Sequence, residues 1–543
     1  MLNRRTLLGS TAALGVAAGL AACSPGSGGS SEGGSGTGGA EGGAGGDSTP
    51  TYTAFEGVTP DLEGDAELGI PNGYYRFPDS PPKITEFPLP QTDPISVLTQ
   101  GIVGNVPMDQ STWFKMLQTD LGNELPTTIT ASSQYTEKLQ TLIAGGQLPD
   151  MLMLSTVPEM PRLLESTFTD LGQFIGGDKV SQYPGLASIP TTAWSVSTLN
   201  GKLWGIPQAR PPAGIIMSTR GDLLEPKGID PNQSPADGAE MLALMKEMND
   251  PSAPQFAMGA LPTSWLMNII LEMMDAPNGW AEEGGEFTAE WETEEYKEAL
   301  VHVKEFWDAE VLHPNSFSDS GSSSTWWQGG LTQVYIQGFT NWLYFTQRRP
   351  EFNMGRIDIP KWDGGGLASK HQSVPGYGAY IAIPQQDSEE RVHEILNVLN
   401  YLAAPYGTEE YLRANYGVPG EHYNMEEGVP VATDRIVDDP RILTYFGSQV
   451  LADLTGPKWL VDAQSEYLHE IMPDSKANAT TGLYSATNMS DGSSFGRELT
   501  DVTGNFVQGR GDMKAFEDLI AEWQKGVGAD IKAEYAEAKQ QQG

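Results

Sequence analysis

The sequence predicts an α/β protein of two lobes, each a mixed, mostly parallel sheet flanked by helices. Two observations carry this expectation. Residues 95–154 alternate short apolar runs with amphipathic segments in the order strand, helix, strand, helix, strand. That order implies a parallel sheet with right-handed crossovers. In addition, about 490 residues follow an N-terminal low-complexity stretch, too many for one simple core and enough for two.

The elements follow in chain order. I-S-V-L-T (95–99) reads as a buried strand, and D-Q-S-T-W-F-K-M-L-Q-T-D-L (109–121) as an amphipathic helix capped by Asp109. T-T-I-T-A (127–131) is a second strand, 135–144 a helix, and M-L-M-L (151–154) a third strand entered through Pro149 and Asp150. Further on, 293–310 carries Tyr296, Leu300, Val303 and Trp307 at helical spacing behind a Glu-rich start. A-Y-I-A-I-P (379–384) reads as a strand, and 387–402 as a helix with Asp387 and Glu390 at capping-box spacing. Met513, Phe516, Leu519, Ile520 and Trp523 mark a last amphipathic helix.

The N-terminus predicts export. Arg4 and Arg5 precede an apolar stretch from Leu7 to Ala22 that ends in L-A-A-C, with Cys23 last. A charged start, a short apolar core and small residues before a cut site make a secretory signal. A membrane span needs about 20 strongly apolar residues, and this segment is short and rich in Ala and Gly. The paired arginines suggest the twin-arginine route, with Leu7 where that motif often has Phe. L-A-A-C resembles a bacterial lipobox, which implies cleavage before Cys23 and acylation of its thiol. The alternative is an ordinary signal peptide with an incidental cysteine. Residues 24–50 are dominated by Gly and Ser, a composition that buries no core and spans about 30 Å as a flexible tether.

Composition then excludes several classes. Cys23 is the only cysteine, so with its thiol acylated no disulfide, Cys nucleophile or Cys-based metal site remains. The formal charge is -39, and removing Arg4 and Arg5 leaves 30 Lys and Arg against 71 Asp and Glu, or -41. Nucleic acids and anionic lipid surfaces require clustered cations, and both are disfavoured as partners.

Four motifs in order carry a family resemblance. These are A-G-G-Q-L-P-D-M (144–151), N-G-K-L-W-G-I-P (200–207), V-P-G-Y-G-A-Y-I-A-I-P (374–384) and Y-G-V-P-G-E-H-Y-N (416–424). Together they resemble the family 1 extracellular solute-binding lipoproteins of ABC importers, of carbohydrate type, the last motif being similar to the longer, LipO-like members. Two departures stand out: I-I-M-S-T-R (215–220) replaces an expected aromatic–Asn–Lys triplet, and 316–342 matches no family element. The resemblance implies a hinged, periplasmic-binding-protein-like fold whose two lobes trap a ligand between them. It implies lobe 1 from 51–209 with 370–430 and lobe 2 from 210–369 with 431–543. Crossings are expected near 208–212, 362–371 and 426–435, each rich in Pro, Gly or polar residues. The implied partners are a sugar or oligosaccharide and an importer permease, with the membrane reached through Cys23, at the outer face of the cell membrane and as a monomer. No cofactor is implied.

Sugars present apolar C–H faces and paired hydroxyls, so a sugar cleft needs aromatic plates and amide, carboxylate or Arg partners. The 13 Trp supply plates in abundance. Trp204, with Gln208 and Arg210 just beyond, is the best local cluster; the competing role for Trp204 is core packing, and for Arg210 a surface ion pair. Trp326 and Trp327 lie in S-S-S-T-W-W-Q, and Trp342 follows Asn341; each can face a ligand or pack on its own lobe. Trp265 and Tyr377 fall where a cleft floor is expected. Asp109 and Trp113 follow the first strand, where the carboxyl ends of parallel strands open onto a crevice; for Asp109 a helix cap is the competing role.

Signals for catalysis are weak. The histidines (His302, His313, His371, His393, His422, His469) are scattered, and no zinc-protease, P-loop, nucleophile-elbow or EF-hand pattern occurs. Carboxylate pairs such as Glu294-Glu295 are expected from so acidic a composition. The competing readings are a lipid-anchored glycoside hydrolase or lyase, and a surface sensor of the same fold.

Overall fold

The computed structural model describes residues 48–101, 106–208, 212–250, 252–374, 378–439, 443, 446–447 and 453–542. Arg4, Arg5, Cys23, most of the tether, Arg210 and Tyr377 lie outside the described residues.

The first sheet begins with the expected alternation. Strands β1 (Val97–Gln100), β2 (Thr127–Thr130) and β3 (Met151–Ser155) alternate with helices α1 (Thr112–Asp120) and α2 (Ser132–Gly145). Strand β1 pairs in parallel with β2 and β3. After β4 (Ile206–Pro207) the chain leaves for a second sheet of β5 (Ile215–Thr219), β6 (Phe256–Met258), β7 (Thr332–Gly338) and β8 (Gly355–Ile357). It returns as β9 (Ala379–Ala382), antiparallel to both β3 and β4. The orders are β2-β1-β3-β9-β4 and β8-β5-β7-β6. The fold is therefore α/β in two lobes, each with a mixed sheet, but neither sheet is mostly parallel as expected: β9 is antiparallel to both its neighbours in the first, and β5 to both of its own in the second.

The lobes bury their sheets in different ways. In the first, consecutive residues Met151 to Leu154 and Ala379 to Ile383 are all buried in one core, the signature of a strand covered on both faces. In the second, burial follows the pleat. Val334 and Ile336 of β7 enter one core with Met217 of β5, whereas Tyr335 and Ile216 enter another on the opposite face.

Three local expectations are corrected. Helix α1 starts at Thr112 and is capped by Ser111, whose Oγ accepts from the Phe114 N–H at 2.9 Å; Asp109 lies upstream and exposed. The helix Glu389–Leu402 is likewise capped by Ser388, not Asp387. A cap must reach the N–H three residues on, so a start shifted by one or two residues changes the capping residue. Finally, Met513–Lys525 is not the last helix. Val527–Gln542 follows it, anchored by Ile531 and Tyr535 beside Trp280 and Trp523. Its Ala-, Glu-, Lys- and Gln-rich sequence carries no broad apolar stripe to announce it.

The second and third crossings also differ in place. The first joins β4 to β5 through 208–214. Residues 362–371 stay with the second lobe, where the Trp362 ring stacks on His302 at 3.6 Å. The chain passes over only beyond His371, where the Ser373 N–H donates to the Pro212 carbonyl of the first crossing. Residues 423–432 form a β-hairpin, and Leu443 and Phe446 still pack in the first core, while Leu454 packs in a core of the second lobe.

An N-terminal strap joins the lobes before β1 begins. Thr51 and Thr53 donate to the carbonyls of Gly177 and Ala187 in the first lobe. Gly73–Tyr74 then pairs in parallel with Leu454–Thr455, and Ile70 enters a core of the second lobe. Phe77 and Leu89 bring the chain back to the first.

Candidate ligand-binding cleft

The strand directions define where the two lobes face each other. Parallel strands β1, β2 and β3 end at Gln100, Thr130 and Ser155. Antiparallel β9 starts at the same edge, since Ala379 pairs with Ser155, and β4 ends there. The segments after Gln100, Ser155 and Pro207, and the one before Ala379, therefore converge on one edge. In the second sheet β5 starts opposite the end of β7, with Ile215 beside Gly338, and β6 runs parallel to β7. The start of β5 and the ends of β6 and β7 form the facing edge. Gln208 ends one edge and Ala213 and Gly214 lead into the other, and the Ser373 N–H bond to the Pro212 carbonyl ties the crossings together, so the edges border one crevice floored by the crossings. This is the switch-point geometry at which open α/β sheets bind ligands.

Polar groups are concentrated on this rim. Buried Gln208 stands at the end of β4. At the end of β7, Gln337 Nε2 donates to Tyr335 Oη at 3.0 Å, and its Oε1 accepts the Gly338 N–H at 3.0 Å. Asn341 Nδ2 donates weakly to the Gly338 carbonyl at 3.3 Å. Half-buried Trp265 lies in the π-turn Pro262–Leu266 that follows β6; such turns recur at functional sites. Across the crevice, the Glu159 N–H after β3 donates to Tyr484 Oη at 2.9 Å, a contact between residues 325 positions apart. Amides, hydroxyls and an accessible indole form a lining suited to a neutral, polyhydroxylated ligand.

The floor is held by a buried charge pair. Lys370 Nζ lies 2.8 Å from Glu272 Oε2, with 2% and 1% of the side chains exposed. Burial alone pulls Lys370 down, but Glu272 and Tyr467 beside it more than offset this and hold the ammonium above its ordinary value. Glu272 Oε1 also accepts the His371 N–H at 3.1 Å, and His371 Nε2 donates to the Ala276 carbonyl at 3.0 Å. Burial holds His371 below its ordinary value and hence neutral.

The sequence candidates divide sharply. Gln208 and Trp265 belong to the rim, and Arg210 and Tyr377 lie outside the described residues. The remaining tryptophans are packing residues. Trp113 is fully buried, with Nε1 donating to the Ala414 carbonyl at 3.1 Å. Trp204 is buried in the same core and donates to the Leu199 carbonyl at 3.1 Å. Trp326 stacks on His313 at 3.8 Å under Gly259. Trp327 is enclosed by Tyr335, Phe345 and Phe352, and Trp342 by Phe339 and Tyr467. Gln337, Asn341 and Tyr484 are rim residues absent from the sequence candidates. Asn341 had a signal in its position beside Trp342; Gln337 and Tyr484 had none, because their placement depends on sheet direction. Among the described residues, no cluster of three His, Cys, Asp or Glu is placed to hold a metal ion. No helix among them is long and apolar enough to cross a membrane.

Two lobes, polar facing edges and a crossing floor define a hinged solute-binding protein. The model of the bacterial extracellular solute-binding proteins matches residues 117–405, more than half of the chain, and the chain belongs to that family. Lipoprotein LipO of Bacillus subtilis (strain 168) is 22% identical over 463 residues, covering 81% of this chain and 91% of that protein. The polygalacturonan/rhamnogalacturonan-binding protein YtcQ of the same organism is 21% identical over 444 residues, 77% and 86% of the two chains. Among solved structures, the N-glycan transport solute-binding protein NgtS of Streptococcus pneumoniae, in complex with Man1GlcNAc, shares the fold. Its TM-score is 0.56 at 15% identity, covering 83% of this chain and 99% of that one. The family and these neighbours are binding proteins, not enzymes.

Proposed function

We propose that this chain captures an oligosaccharide in the crevice between its lobes and delivers it to the permease of an ABC importer, without chemical turnover. The observation that carries this reading is the convergence of Gln208, Trp265, Gln337 and Asn341 on the facing edges of two hinged sheets. The sugar-binding names of YtcQ and NgtS support the ligand class. Closure over the ligand follows from contacts that exist only when both edges engage it. Lobe 1 takes residues up to Gln208 and from Gly378 through Phe446, and lobe 2 takes 212–371 with 454–542, the strap serving both.

The protein works at the outer face of the cell membrane. Arg4, Arg5 and the apolar segment direct export, L-A-A-C sets cleavage, and acylated Cys23 anchors a monomer through the Gly/Ser tether. Titration with pectic, N-glycan and α-glucan oligosaccharides tests the capture reading. A saturable tryptophan fluorescence change without new reducing ends is expected; release of reducing ends refutes it. Cys23→Ala should move the protein from the membrane fraction to the medium, and unchanged membrane retention refutes the anchor.

A further inference from the structure

Between the strap and the crossings lies a cavity of about 730 Å³. It shares the crossings with the crevice, but none of Gln208, Trp265, Gln337 or Asn341 lines it. Its roof is the strap, with Tyr52, Phe55 and Tyr74, and its walls include Pro212 of the first crossing and Gln372 of the second. The lining chemistry is one-sided. Among the described residues no Lys, Arg or His lines this cavity, whereas Glu56, Glu63 and Asp453 do. Asp453 stands beside Tyr52 and Tyr74 of the strap and accepts the backbone N–H of Tyr406. No Lys, Arg or His pairs with it among the described residues. Asp453 is half-buried, and a carboxylate drawn out of water without a cation is costly unless something neutralises it.

We propose that this cavity is a second ligand site, which takes a small organic cation with a flat apolar body, such as an aromatic amidine or amine. The cation meets the Asp453 carboxylate, and the body lies against the Tyr52, Phe55 and Tyr74 rings, which favour cations over their faces. Glu56 and Glu63 add negative potential. Burial pushes Asp453 up to about 7. A cation selects the ionised form, so binding strengthens as pH rises through that value. The groups around Asp453 (Tyr52, Tyr74 and Tyr406) are all raised above the ordinary tyrosine value by burial first and by Asp453 second or after. They stay neutral across this range and leave the titration to the carboxyl.

The test is calorimetric titration of the tethered, unacylated chain with benzamidine, whose charge is constant over the range used. Saturable binding is expected, tightening about tenfold between pH 6 and pH 8. Asp453→Asn should weaken it at least tenfold and abolish the pH dependence. Phe55→Ala, on the half-buried strap, should weaken it at least threefold with the pH dependence intact, and it decides the question should Asp453→Asn fail to fold. Absence of saturable binding overturns the proposal, as does affinity unchanged in both variants. Oligosaccharide titration of the same samples reports on the crevice separately, so failure of one site leaves the other measurable.

Discussion

Glu272→Gln tests how firmly the crossing floor is held. Glu272 accepts from two donors, Lys370 Nζ at 2.8 Å and the His371 N–H at 3.1 Å. Glutamine keeps one carbonyl oxygen, enough for His371, and then turns its NH₂ group toward the Lys370 ammonium. Removing one partner of a buried ion pair costs about 3–5 kcal/mol, mostly the penalty of the charge left behind. In the variant Lys370 loses what holds its pKa up, so burial draws it down and it folds most comfortably deprotonated. In the native protein the raised Lys370 value makes the pair's contribution fully present below the unfolded lysine value; it is lost only as pH rises through the raised one. The deficit of Glu272→Gln should therefore shrink in alkali. Hydrogen exchange of peptides spanning 368–374 is the direct assay, since unfolding of a two-lobed chain is not a two-state process. A loss of about 3 kcal/mol corresponds to roughly a hundredfold loss of protection. Glu272→Gln with Lys370→Met, which removes the stranded charge, should recover at least half of the loss. Protection within threefold of native in the single variant, or no recovery in the double, refutes the assignment.

Other outcomes are specific to position. Trp265→Ala should weaken oligosaccharide binding by at least about 1 kcal/mol, with a smaller loss of stability than a fully buried tryptophan gives, since it is half-buried against the second core. Trp204→Ala should instead cost about 3–5 kcal/mol of stability, read by urea denaturation, because it empties a core site. Gly214 has φ +65° and a Cβ there would lie 2.2 Å from the His371 carbonyl oxygen; Gly214→Ala should cost about 1–3 kcal/mol and weaken ligand binding, seen by thermal melting and calorimetry. Burial pushes Glu290 up to about 7 despite the Gly279 N–H that it accepts. Since the folded value lies above the unfolded one, its ionisation costs stability progressively from about pH 4.5 to 7. Glu290→Gln should be more stable than native at pH 8, with the difference vanishing below pH 4.5 by chemical denaturation.

The sequence by itself determined the elements whose signals are local. The runs at 95–99, 127–131 and 151–154, the helices between them and the return strand at 379–384 all stand within three residues of where apolar runs, polar breaks and helical spacing put them. Caps were legible only by kind: Ser111 and Ser388 displaced Asp109 and Asp387 because one residue of register changes which side chain reaches the N3 amide. What only the tertiary structure decided is which tryptophans are packing residues and which polar side chains meet. Trp113, Trp204 and Trp342 look no different along the chain from Trp265, since burial depends on what packs over a ring. Glu272 finds Lys370 98 residues away and Tyr484 reaches Glu159 across 325, while the strap threads both lobes before the first core strand begins. Such pairings are fixed by sheet direction and chain crossing, and neither leaves a periodicity for the sequence to show.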